Sequence, residues 1–93
     1  MKNVKVQNMY SSRGNKVANQ FIIDTQEGCY FQSYRSLIAF IPHSPNKKTK
    51  LDSYYWDYSR TTGKYRNIFL SESKAETEAK IKSGRYELID LNS

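Results

Sequence analysis

Few side chains in this sequence have the types that catalysis requires. The single cysteine, Cys29, and the single histidine, His43, are the only nucleophile and base to consider, and a nucleophile needs its base alongside. Cys29 falls in an apolar stretch, where a free cysteine normally packs, and His43 sits between Pro42 and Ser44 in a loop. The two are not expected to meet. One Cys excludes an intramolecular disulfide and a cysteine-based zinc site, and one His leaves too few of the usual N and S ligands, so no metal and no cofactor is expected. Asp52 and Asp57 are the nearest approach to paired catalytic carboxylates. In an extended strand, at about 3.3 Å per residue, they would lie on opposite faces and more than about 10 Å apart, so both read as solvated. Thr61-Thr62-Gly63-Lys64 echoes the end of a phosphate loop. It lacks the first glycine, and Tyr65 stands where a Ser or Thr is needed. These residues point away from an enzyme.

They point more readily to binding. The segment Trp56 to Arg66 combines aromatics, hydroxyls and three basic side chains at a strand-to-helix junction. Free N–H groups at a helix N-terminus attract anions, and Arg60 and Lys64 share a helix face four residues apart. Arg60, Lys64, Arg66 and the loop carrying Lys47, Lys48 and Lys50 are expected to contact phosphates, with Tyr55 or Tyr58 stacking on a base. The opposing expectation is that Trp56 and Tyr65 are core and the basic residues only a solvated face.

Charge agrees with an anionic partner. The net charge is +6, from 15 Lys and Arg against 9 Asp and Glu. Residues 1–70 hold 11 basic and 4 acidic side chains, a balance of +7, and residues 71–93 hold 4 basic and 5 acidic, a balance of −1. A basic body with a near-neutral end favours nucleic acid among partners. Residues 74–82 alternate in sign, with Glu76 to Lys80 and Glu78 to Lys82 as supporting pairs on an exposed helix.

The elements that must hold these residues follow from pattern. Ninety-three residues, 38% hydrophobic and 14% aromatic with eight Tyr, make one folded domain over residues 1–93 with a single small core. Strands are expected at 3–10, 17–24, 29–34, 36–41, 51–58 and 85–91, the second and third forming a hairpin across Gln26-Glu27-Gly28. Ser59 is the N-cap of a first helix whose apolar face is Tyr65, Ile68 and Phe69. Ser73-Lys74-Ala75-Glu76 is a capping box opening a second helix that ends at Ser83, with Gly84 as its C-terminal glycine. The fold expected is α+β: a small antiparallel sheet of four to five strands with one or two short helices packed on one face. The N-terminal residues lack the apolar run of a signal peptide and no stretch approaches a membrane span, so cytoplasmic location without membrane contact is expected. The exposed Tyr-rich strand could pair across a homodimer.

Several blocks together resemble a family of small bacteriophage and mobile-element proteins without assigned function. They are Asn19-Gln20-Phe21, Phe31-Gln32-Ser33-Tyr34, Leu37-Ile38-Ala39, and Trp56-Asp57-Tyr58-Ser59-Arg60-Thr61-Thr62-Gly63-Lys64-Tyr65 followed by Phe69-Leu70. The resemblance covers residues 17–91 and implies a phage or prophage origin and action in the bacterial cytoplasm. It implies no activity and transfers no catalytic residue. Small phage proteins are often accessory factors. The expected function is therefore non-enzymatic nucleic-acid binding. The alternative is inhibition of a host protein or ribonucleoprotein, in the manner of an anti-CRISPR blocker of a defence nuclease.

Overall fold

Alternating side chains and tight turns build the first part of the chain, as the sequence pattern requires. A computed structural model describes residues 4–93. The start expected for the first strand, Asn3, lies outside the described residues. The elements run β1 (Lys5–Tyr10), β2 (Lys16–Asp24), β3 (Gly28–Ser33), β4 (Ser36–Pro42), β5 (Thr49–Asp52), α1 (Arg60–Leu70), α2 (Lys74–Ser83) and β6 (Tyr86–Ile89). The strands form one sheet in the order β1-β2-β3-β4-β5-β6.

Two features depart from the expected antiparallel sheet of four to five strands. There are six strands, and β6 pairs with β5 in parallel, Leu51 opposite Leu88. A parallel neighbour needs a long crossover, which α1 and α2 supply. The α+β class itself holds, and both helices cover one face. A cross-strand row on that face joins Ile22, Phe31, Ala39 and Leu51. With Met9, Ile38 and Tyr65 it makes the buried core. A bulge after Phe31 lets Ile38 and Ala39 both turn inward. Phe69 of α1 packs on Phe31 with ring centroids 5.7 Å apart.

Gly28 has a packing reason. A Cβ there would run into the carbonyl oxygen of Ile41 and lie 2.8 Å from the Phe40 ring. The ring of Phe40 instead lies against Tyr30, at 4.5 Å between centroids.

Both helices begin where expected. Ser59 accepts from the Thr62 N–H at 3.1 Å, and Ser73 and Glu76 exchange the two bonds of a capping box. Gly84 ends α2 at φ +83°. The buried stripe of α1, however, is Thr62, Tyr65 and Arg66, with Phe69 partly buried, while Ile68 is exposed. The stripe is turned relative to the expected Tyr65, Ile68 and Phe69, and this moves Arg66 inside. Between the helices, Glu72 accepts from Thr77, Lys80 and Tyr86, tying the α1–α2 corner to β6. Burial raises the Glu72 carboxyl, but these three donors outweigh it and hold it below its usual range. No helix among the described residues is long and apolar enough to cross a membrane.

Candidate nucleic-acid interface

The expected strand over 51–58 stops at Asp52, and Asp52 is the cause. Its carboxylate is 1% exposed and is not solvated as expected. Oδ2 accepts from the backbone N–H groups of Tyr54 and Tyr55 at 3.1 and 2.8 Å, and the Trp56 N–H reaches the Asp52 carbonyl at 3.0 Å. The chain therefore coils into successive turns instead of extending. Oδ1 accepts from the Leu91 N–H at 2.8 Å and the Asn92 amide at 3.0 Å, so one carboxylate also holds the segment after β6. Burial raises this carboxyl; the four donors overcome that and keep it below the ordinary aspartate value.

Coiling changes what the tyrosines do. The rings of Tyr54, Tyr55 and Tyr58 cluster with centroids 4.6 to 6.2 Å apart. Tyr54 and Tyr58 are 71% and 63% exposed, and Tyr55 is half-buried beneath them. Residues 53–58 are turns, so the Tyr-rich segment does not form the strand expected to pair across a homodimer.

The strand register then gathers more of the same chemistry. The β1–β2 turn, the β3–β4 turn and the segment after β5 all lie at one end of the sheet. The only exposed tyrosines of the described chain are Tyr10, Tyr34, Tyr54 and Tyr58; Tyr10 closes β1 beside the first of these connections, and the other three lie within the second and third. Exposed Arg13, Lys16, Arg35 and Arg60 stand among them. Tyr34 sits at φ +57°, a left-handed conformation unusual for a bulky residue, with its N–H bonded to the Asn19 carbonyl at 2.7 Å. Tyr10, Tyr34, Arg13, Lys16 and Arg35 were not singled out in the sequence. They lie far apart along it, and only the topology brings them to one end.

The expected site residues divide into three groups. Tyr58, Arg60 and Lys64 are exposed around the start of α1, and Tyr55 supports Tyr58. Arg66 is not a surface contact: it is 1% exposed. Its Nη1 donates to the Trp56 carbonyl at 2.8 Å and to Asp57 Oδ1 at 3.1 Å, Nη2 donates to Asn67 Oδ1 at 2.8 Å, and the guanidinium lies 5.2 Å from the Trp56 ring centroid. Asp57, read as solvated, also takes Lys74 at 2.7 Å. Burial raises the Asp57 carboxyl, but Lys74 and Arg66 outweigh it and bring it below its usual value. Lys47, Lys48 and Lys50 form the third group. They enter β5 from the opposite end of the sheet, and Lys50 pairs with Glu87 at 3.3 Å. These lysines therefore do not join the α1 surface.

Cys29 and His43 also depart from expectation, because the structure brings them together with Asp24. The carboxylate of Asp24 approaches both, Cys29 Sγ at 3.4 Å and His43 Nε2 at 3.5 Å.

A model of one protein family matches residues 4–85. The chain belongs to this family, DUF8033, a family of unknown function. The DUF8033 match runs from β1 through α2, so it includes the tyrosine-bearing connections and all of α1. No curated protein and no solved structure matches the chain.

Proposed function

We propose that this DUF8033 protein is a non-enzymatic accessory protein that binds single-stranded nucleic acid with the tyrosine-bearing end of its sheet. The observation that carries the reading is that every exposed tyrosine of the described chain, with Arg13, Lys16, Arg35 and Arg60, lies in or directly beside three connections at one end of the sheet. Stacking on exposed rings with cations tracking the phosphates is how single strands are held without sequence preference. Of the acidic side chains near this end, Asp52 is engaged by four donors and Asp57 by Arg66 and Lys74, which leaves exposed Asp90, beside Tyr54 and Tyr55, as the one there that opposes an anionic partner. Lys64 continues the basic surface one turn along α1. A phage or prophage origin and action in the bacterial cytoplasm belong to the same reading, on the sequence resemblance alone.

The test is fluorescence anisotropy with labelled single-stranded DNA and RNA over a salt series. Binding should weaken steeply with salt. Tyr54→Ala and Tyr58→Ala should each lose about 1–3 kcal/mol, and Arg60→Ala should lower the salt slope by about 1. Lys47→Ala and Lys48→Ala should leave binding unchanged. Absence of binding to single- or double-stranded probes at low salt would overturn the proposal. Capture of a host protein from nuclease-treated lysate, lost on Tyr58→Ala, would transfer the same surface to the inhibitor reading, since exposed aromatics also anchor protein partners.

Tyr34→Gly separates binding from folding. Glycine adopts φ +57° freely, so stability should hold or rise by up to about 1 kcal/mol. Affinity for single strands should fall as the ring is lost. A destabilised variant in thermal melts would instead make Tyr34 a packing residue.

A further inference from the structure

The end of the sheet opposite the tyrosines gathers a different set of side chains. Asp24 closes β2, and Cys29, directly across from it in β3, faces the same side. His43 follows the last residue of β4, and its N–H bonds the Glu27 carbonyl at 2.9 Å, anchoring it over the β2–β3 turn. Three adjacent strand ends thus present one carboxylate, one thiol and one imidazole. Cys29 Sγ lies 3.4 Å and His43 Nε2 3.5 Å from Asp24 Oδ1, and all three donor atoms fall within 4.8 Å of one another.

These separations have a chemical meaning. A tetrahedral ion with bonds of about 2.0–2.3 Å has ligand–ligand edges of about 3.3–3.7 Å. We propose that Asp24, Cys29 and His43 form a three-ligand site for a zinc-class divalent ion, with a fourth position open to solvent. Thiolate and imidazole favour zinc, cobalt or nickel over magnesium and calcium. On binding, the sulfur–metal bond replaces the S–H bond and the thiol proton leaves to solvent. His43 Nε2 also lies 3.1 Å from the Thr25 carbonyl, to which it can donate when protonated. To ligate, it carries its proton on Nδ1 instead.

The rival use of these residues is a cysteine nucleophile with a histidine base, and the geometry opposes it. The carboxylate approaches both the sulfur and the imidazole Nε2, the nitrogen that would serve as base. Burial and the Asp24 carboxylate push the Cys29 thiol up, whereas a reactive cysteine needs its thiolate favoured. A cation between the three groups turns the same carboxylate from an obstacle into a ligand. The ligand spacing, Asp24 to Cys29 to His43, matches no zinc pattern in sequence and depends on register.

The test is titration of the full chain, reduced with a phosphine, with Co2+ followed by Zn2+. A thiolate-to-cobalt charge-transfer band should grow to one equivalent, bleach on adding Zn2+, and be unaffected by Mg2+. Cys29→Ser should abolish the band. His43→Ala and Asp24→Asn should each weaken binding roughly tenfold or more, as loss of a ligand or its orienting group does. Circular dichroism checks that each variant folds, and exposed His43 decides alone if Asp24→Asn does not. No charge-transfer band would overturn the proposal, as would a band of unchanged affinity in His43→Ala, which marks a lone-thiol adduct.

Discussion

Asp52→Ala should remove about 3–5 kcal/mol of stability, a large share of the roughly 5–15 kcal/mol available to a domain of this size. The wild-type carboxylate is buried and accepts from the Tyr54, Tyr55 and Leu91 N–H groups and the Asn92 amide. Alanine leaves all of them without their acceptor. Asn92 also bonds the Leu37 carbonyl and N–H, so its loosening reaches β4. Urea unfolding followed by the fluorescence of Trp56, the single tryptophan, measures the effect. A midpoint within experimental error of wild type would contradict it.

The same carboxylate sets an acid limit. Its folded value lies below its ordinary one, so the ionised form adds stability at every pH above about 4. That contribution fades as pH falls through the folded value. Asp57 and Glu72 are shifted in the same direction and add to the effect. The urea midpoint should be level from pH 7 to about 5 and then drop, less steeply in Asp52→Asn, whose stability is already reduced at neutral pH. A midpoint that rises below pH 4 would contradict this.

Arg66→Met should cost about 2–4 kcal/mol, toward the lower part of the range for breaking a buried pair because Asp57 keeps Lys74. Arg66→Lys should rescue little. The fork of Arg66 reaches the Trp56 carbonyl, Asp57 and Asn67 at once while lying on the Trp56 ring, and an ammonium cannot reproduce that plane. At temperatures where the variants are folded, their affinity for single-stranded nucleic acid and its salt slope should match wild type. A salt slope reduced by one unit would return Arg66 to the set of phosphate contacts.

How far these features could be read in advance depended on whether their cause was local. Both helix starts were legible because Ser59 and Ser73 act on N–H groups within three residues. The β2–β3 hairpin was legible for the same reason. The phase of α1 was not. Tyr65 and Phe69 fit two overlapping stripes, and a charged residue is expected outward, whereas Trp56, Asp57 and Asn67 take the two terminal nitrogens of Arg66 inside and leave its buried Nε without a partner. The strand expected over 51–58 ends early because Asp52-Ser53 is a turn-forming pair, whose carboxylate captures the Tyr54 and Tyr55 N–H groups despite the aromatic run that follows. Of the candidate interface, the part around α1 was visible as one run of residues. Tyr10, Tyr34 and their basic neighbours were invisible until the register placed three connections at one end.

The parallel pairing of β5 with β6 also shapes how the chain reaches its native state. The contacts from β1 through β4 join neighbours in sequence and can form early. The β5–β6 ladder must wait for closure of a loop that contains both helices, and loop closure opposes it entropically. Until then the outer edge of β5 is an unpaired template, and the Asp52 carboxylate lacks two of its donors. Intermediates should therefore carry a formed meander with one raw edge, the form most exposed to wrong pairing. The lone positive charge of Lys50 along that edge, later matched by Glu87, is the kind of residue that discourages it.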